Sequence, residues 1–220
     1  MDTRTVRQTS VTLPDLNDAD LDEAESLEGE HGRLRDFRYA GANLRELHLS
    51  GTQLMDGRVI GLITQRAHLE ELRLHSVEFS DCDLSGLRWE DSKLSRVTFT
   101  GCRMLGAAWE EVTLDDVVFE RCKLDLAAFA RVRATGSVIF SSCSLREARF
   151  SAADLSGVAI DDCDLTLAEF DDGRYRDLDL RGNDLSGIRG VSALKHIIID
   201  RPQLQSIAEA FAAELEISFG

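Results

Sequence analysis

The sequence predicts an all-β solenoid, a chain that turns a corner about every five residues and stacks its coils into a rod. Three observations predict it. An apolar residue returns at every fifth position from Leu69 through Leu74, Phe79, Leu84, Trp89 and Leu94 to Phe129, and again, one residue late, from Phe140 to Leu185. Two positions before each of these lies a small or apolar residue, as at Ala67, Val77, Cys82, Val97, Ala107 and Ala148. The five cysteines, Cys82, Cys102, Cys122, Cys143 and Cys163, are spaced 20, 20, 21 and 20 apart, so four five-residue sides close one coil. A period of five is neither the 3.6 of an α-helix nor the 2 of a flat strand.

The aromatic residues agree with the longer period. Phe79, Phe99, Phe119 and Phe140 form one column, and Trp89, Trp109, Phe129, Phe150 and Phe170 form another. Like residues therefore stack from coil to coil, at the ~4.8 Å spacing of a backbone ladder.

In chain order, residues 1–31 precede the repeat. Met1 to Glu30 holds nine acidic residues and two basic ones. Thr9 to Leu13 reads as a capping strand, and Pro14 to Glu30 as an acidic, largely solvated segment. The repeat spans residues 32–190, with Leu34, Tyr39, Leu44, Leu49 and Leu54 in the first phase. Residues 57–66 keep the phase but place Val59 and Thr64 at the axis. Two readings stay open there: a degenerate half-coil, or a projecting loop that touches a partner. Arg133 to Ser137 holds the one-residue insertion, read as a bulged corner with Gly136 relaxing the backbone.

Residues 191–220 read as a strand–helix–strand cap. Ile197 to Ile199 is the first strand. Asp200 N-caps a helix with Pro202 in its first turn, and Leu204, Ile207, Ala208, Phe211 and Leu215 follow helical spacing. Leu215, Ile217 and Phe219 alternate as a last strand. A solenoid needs caps because its end coils expose apolar core. The helix face of Leu204, Ile207, Phe211 and Leu215 closes the rod, meets a second copy of the chain, or does both.

Ala42-Asn43-Leu44, Cys82-Asp83-Leu84-Ser85-Gly86, Ala153-Asp154-Leu155-Ser156-Gly157, Cys163-Asp164-Leu165 and Asn183-Asp184-Leu185-Ser186-Gly187 carry a recognisable motif. It resembles the A(D/N)Lxx unit of pentapeptide-repeat proteins, and the match covers residues 32–190. The resemblance implies a right-handed quadrilateral β-helix of about eight coils, roughly 35–40 Å long at ~4.8 Å per coil. It implies a non-catalytic protein-binding rod. The quinolone-resistance branch of that family further implies DNA gyrase as partner, mimicry of DNA, and a homodimer through the C-terminal end.

Charge narrows the function classes. The 220-residue chain carries a net charge of −15, which repels nucleic acid and anionic membrane. Met1 to Ser10 carries Asp2, Arg4 and Arg7 without an apolar segment, and no run approaches the ~18–20 apolar residues of a membrane span, so a cytoplasmic protein is expected. An odd cysteine count argues against a secreted disulfide framework.

About half of the net charge lies off the rod. Within it, the Trp89 face sums to −5 and the Leu94 face to +2. On the Trp89 face Glu70-Glu71, Glu90-Asp91 and Glu110-Glu111 stack coil on coil, and Asp171-Asp172 rejoins the column, with Arg88 and Arg131 nearby. Stacked like charges oppose folding unless solvent screens them, so these eight carboxylates are candidates for binding a partner.

His48 and His68, 20 apart and near Glu70, offer a second alternative, a surface metal site. A ladder of thiols differs from four converging on one tetrahedral zinc and reads as small buried filler. No Walker-type phosphate loop, nucleophile elbow or HExxH is present, and a convex rod provides no cleft for acid–base chemistry. No catalytic residue and no cofactor are assigned.

Overall fold

A residue with left-handed backbone sits two positions after nearly every axial side chain, and this residue makes the corner. Glycine serves at Gly41, Gly51 and Gly86, but Glu71, Ser76, Asp81 and even Leu126 (φ 60°) adopt the same conformation. Each non-glycine residue there carries a steric cost that pairing with the coils on either side must offset. The computed structural model describes residues 2–217.

The corners fold the repeat into a parallel β-solenoid. One sheet stacks Arg33–Ala40, Gln53–Ile60, Arg73–Ser80, Lys93–Thr100, Thr113–Glu120, Val138–Ser141 and Ala159–Asp161, its eight-residue strands bending at a corner such as Ser76 to span two sides of the coil. A second stacks Asn43–Ser50, Ile63–Glu70, Arg88–Glu90, Ala108–Glu110, Ala128–Ala130, Arg149–Ser151 and Glu169–Asp171. Seven tiers thus carry strands in both sheets, against the eight coils expected. The eighth is reduced to isolated bridges, Ala159 to Asp179 and Glu169 to Arg189.

Register follows the cysteine spacing. Phe79 pairs with Phe99, Phe99 with Phe119, and Phe119 with Phe140. Their rings stack with centroids 4.9, 4.9 and 4.6 Å apart. Trp89 and Trp109 stack at 4.8 Å, and Trp109 meets Phe119 edge to face at 5.8 Å. These spacings match the separation of neighbouring strands, so the backbone ladder imposes the stacking.

The polar residue of the motif holds the tighter corners. The Asp83 carboxylate accepts from the Ser85 N–H at 3.2 Å and the Ser85 hydroxyl at 2.7 Å. Asp154 does the same for Ser156, and Asp164 for Thr166. The aspartate thereby satisfies a turn that the strands leave open.

The cysteine column is a hydrogen-bond ladder. Cys122 donates its thiol to the carbonyls of Phe99 at 3.3 Å and Glu120 at 3.5 Å, and all five cysteines are free and buried. Asn183 and Gln203 continue the same slot. Asn183 Nδ2 donates to the Ile160 and Leu180 carbonyls at 2.8 Å, and Gln203 Nε2 to those of Leu180 and Asn183 at 2.8 Å. Amides replace thiols where the rod ends and the carbonyls would otherwise lose their partners.

Residues 57–66 form an ordinary coil, not a projecting loop: Gln53–Ile60 and Ile63–Glu70 pair with the coils before and after. Gly57 pairs with Phe37, a large residue in the small column. A Cβ at Gly57 would lie 2.2 Å from the Phe37 ring, so the glycine provides the room. The insertion falls in Thr135 to Ser137, between the pairs Leu114–Ala134 and Val117–Val138. Gly136 does not take a left-handed turn there, and a Cβ would stand 2.1 Å from Asp115 Oδ1, so a larger residue would require that carboxylate to move.

The N-terminal segment differs from expectation. A hairpin, β1 (Thr3–Val6) and β2 (Thr9–Thr12), lies against the flank of the rod instead of capping its end. From there the chain runs back toward the first coil. Arg58 pairs with Asp18, Asp22–Glu23 adds to the Phe37–Arg38 edge, and Leu27 is buried against the first coil. The acidic segment is thus strapped to the rod.

At the other end, Ile197 to Ile199 makes a single bridge, Asp179 to Ile198, instead of a strand. The Asp200 N–H donates to Gln203 Oε1 at 2.7 Å as a 3-10 turn leads into α1 (Leu204–Glu214). Leu215 and Ile217 follow as a turn and its exit, not as a strand, and Phe219 lies outside the described residues.

Candidate functional site

The acidic corner is built by the solenoid's own geometry. Glu70 pairs with Glu90 and Glu90 with Glu110 on the strand, while Glu71, Asp91 and Glu111 take left-handed backbone at the corner. The corner residues interlock by backbone: Glu71 N–H donates to the Glu90 carbonyl at 3.2 Å, and Asp91 N–H to that of Glu110 at 3.0 Å. Six carboxylates are held on three successive tiers.

Arg131 closes this stack. Its guanidinium donates to Glu111 at 2.7 Å and also pairs with Glu110. Hydrogen bonding to Arg131, and then its charge, holds the Glu111 carboxyl below the usual carboxylate range. Asp171 and Asp172 rejoin the column only after Arg131 and Ala152, so they are separate from the three-tier stack. Beyond the corner runs a basic row, Arg73, Lys93 and Arg133. Together with Glu71, Asp91 and Glu111 it lines a shallow groove of about 800 Å³. The corner therefore has two signs of charge side by side, which the summed charge of each face concealed.

His48 and His68 stack edge to face, with ring centroids 5.1 Å apart, and His68 Nε2 lies 3.9 Å from Glu90 Oε1. Among the described residues no group of three or more His, Cys, Asp or Glu side chains is arranged to hold a metal ion.

The stripe on α1 splits in two. Ile207 is half-buried and Ala210 buried against the core, and they close the rod. Leu204, Phe211 and Leu215 face outward, 59%, 41% and 56% exposed, with Ile217 beside them.

One surface escaped the sequence reading. Val118, Ile139 and Ala159 point outward from three successive tiers and are buried under Val6 and Val11 of the hairpin. The same outward row reads Arg38, Arg58, Glu78 and Thr98 in the earlier tiers. The switch from polar to apolar at Val118 is the signal that could have revealed a covered flank. Among the described residues no helix is long and apolar enough to cross a membrane.

A family model described as a pentapeptide repeat region matches residues 60–129 and 112–190. No curated protein matches the chain in sequence. Among solved structures, full-length QnrB1, a plasmid-mediated fluoroquinolone resistance protein, is 16% identical, with 81% of this chain and 89% of that one covered and a TM-score of 0.41. HetL, involved in heterocyst differentiation regulation in the cyanobacterium Nostoc sp. strain PCC 7120, is 20% identical, with 76% and 86% covered and a TM-score of 0.40.

Proposed function

Because the chain belongs to the pentapeptide-repeat family, we propose that it is a non-catalytic rod that binds protein partners through the corner of Glu70, Glu71, Glu90, Asp91, Glu110 and Glu111. The observation that carries this reading is the stack of six carboxylates on three successive tiers of an exposed corner. Such an array is unfavourable for folding and is held in place by backbone pairing. A partner that presents cations at matching intervals would relieve it. The groove that a nucleic-acid enzyme uses for DNA has that chemistry, and DNA gyrase is the specific partner to test. The reading includes a cytoplasmic location and an effect on quinolone sensitivity.

In a gyrase supercoiling assay the purified protein should alter supercoiling or its inhibition by a quinolone. Absence of any effect at large molar excess would reject gyrase. The basic row Arg73, Lys93 and Arg133 favours a second reading, a scaffold for a different protein with mixed charge. In that case capture of the partner should survive while gyrase is untouched.

The outward stripe of α1 supports a homodimer through the C-terminal end. Light scattering should give twice the chain mass for the wild type and the monomer mass for Phe211→Glu with Leu215→Glu; a wild-type monomer would reject it.

A further inference from the structure

The hairpin β1–β2 is held to the rod by side chains alone. Its ladder closes on itself, from Thr3–Thr12 to Val6–Thr9, and among the described residues no backbone hydrogen bond joins it to a coil. Three kinds of contact attach it. Val6 and Val11 sit on Val118, Ile139 and Ala159. Arg4 pairs with Glu120 at 2.8 Å, and Arg7 with Asp161 at 2.6 Å and Asp179 at 3.6 Å. The Thr9 hydroxyl donates to the Gly157 carbonyl at 3.3 Å.

The receiving surface is built into the rod. Three outward positions become apolar for the tiers that the hairpin covers, and acidic residues border them at Glu120, Asp161 and Asp179. This is a socket for apolar, β-branched side chains between two guanidiniums. The plug is weakly held by comparison. A two-stranded hairpin is marginal by itself, and the partly exposed ion pairs Arg4–Glu120 and Arg7–Asp161 contribute little. Regions with few buried contacts open at lower free energy than the body of the fold.

We propose that this flank is a second protein-binding site, specific for a short β-hairpin with β-branched residues on one face and arginines beside them. The chain's own N-terminus occupies it until a partner with the same pattern displaces it. The proposal rests on the reading of the rod as a protein-binding scaffold, but it uses a different surface from the acidic corner. The partner replaces Val6, Val11, Arg4 and Arg7 with equivalent side chains of its own. The tethered arm lowers the partner's apparent affinity, because it competes from within the same molecule.

The test uses the full-length chain and a fluorescein-labelled peptide of residues 2–13. Val11→Asp unseats the arm. Fluorescence anisotropy should show saturable peptide binding to this variant, at least tenfold tighter than to the wild type. Adding Ile139→Asp should remove the binding. A Val11→Asp protein with wild-type circular dichroism that does not bind the peptide, or binds it no better than the wild type, overturns the proposal. Should Val11→Asp fail to fold, hydrogen exchange of the wild type decides. Amides of Thr3–Val6 and Thr9–Thr12 should exchange at least a hundredfold faster than those of Val97 and Val117. Exchange of the arm only together with the rod overturns the idea as well. None of these outcomes depends on gyrase or on the acidic corner.

Discussion

At the scale of the residue, each five-residue side assigns side chains by slot. The axial slot mostly takes Leu, Phe or Trp, the slot two before takes a small or aliphatic residue, and the corner takes whatever tolerates left-handed backbone. Where a slot is misfilled, a residue one coil away compensates. Phe37 is too large for the small column, and Gly57 directly across the ladder yields the space. Gly57→Ala should therefore destabilise by about 1–3 kcal/mol through overpacking. Phe37→Leu in the same chain should recover much of that loss. Urea midpoints of the two single variants and the pair would show it: simple additivity of the two changes would contradict the contact. The axial column was legible in the sequence because a period of five recurs many times. The Phe37–Gly57 pair was not, because its meaning appears only once residues twenty apart are laid in register. The role of Gln203 was hidden for a related reason. It continues the cysteine column, but a column of thiols does not announce an amide at its end.

At the scale of the element, the termini departed furthest from expectation. A hairpin or a cap makes contacts that no repeat encodes, so periodicity is silent about where it docks. The strap explains why Pro14 to Glu30 is not a free acidic tail: Arg58 and Arg38 on the rod engage Asp18 and Glu23. Asp179 joins both features. It is 4% exposed, hydrogen-bonded to Arg181 and near Arg7 of the hairpin. Burial alone would raise its pKa, but hydrogen bonds from Arg181 and the charges of Arg181 and Arg7 outweigh burial and lower it. A carboxyl with a depressed folded pKa contributes stability that is full above its unfolded value, near 3.9, and is lost as pH falls through the folded value. Asp179→Asn should thus cost about 1–3 kcal/mol at pH 7, by leaving Arg181 poorly paired. The gap between variant and wild type should narrow as the pH drops below about 4. Urea unfolding at neutral and acid pH would measure it, and a gap that widens in acid would contradict the assignment.

At the scale of the whole molecule, the rod converts a linear pattern of charge into rows on a rigid surface. The acidic row was legible in the sequence, since Glu70, Glu90 and Glu110 share a phase. Its interruption was less so, because Arg131 reaches back to Glu110 and Glu111 and the basic row lies just around the corner. This arrangement yields a prediction with two opposite arms. Asp91→Lys places a cation between Glu71 and Glu111, so it should relieve repulsion between neighbouring tiers and leave the melting temperature unchanged or higher. The same change should weaken any partner that reads the acidic stack. Arg131→Glu does the reverse: it frees Glu110 and Glu111, extends the acidic row by one tier and should lower the melting temperature. A partner with a DNA-binding groove should then respond more strongly to Arg131→Glu than to the wild type, and the difference should shrink as salt is raised. Supercoiling assays at two ionic strengths, run beside thermal melts, separate binding from stability. Equal responses to wild type, Asp91→Lys and Arg131→Glu would mean that the corner is only a solvated face, and the search for the partner's contact would move to α1 and to the flank beneath the hairpin.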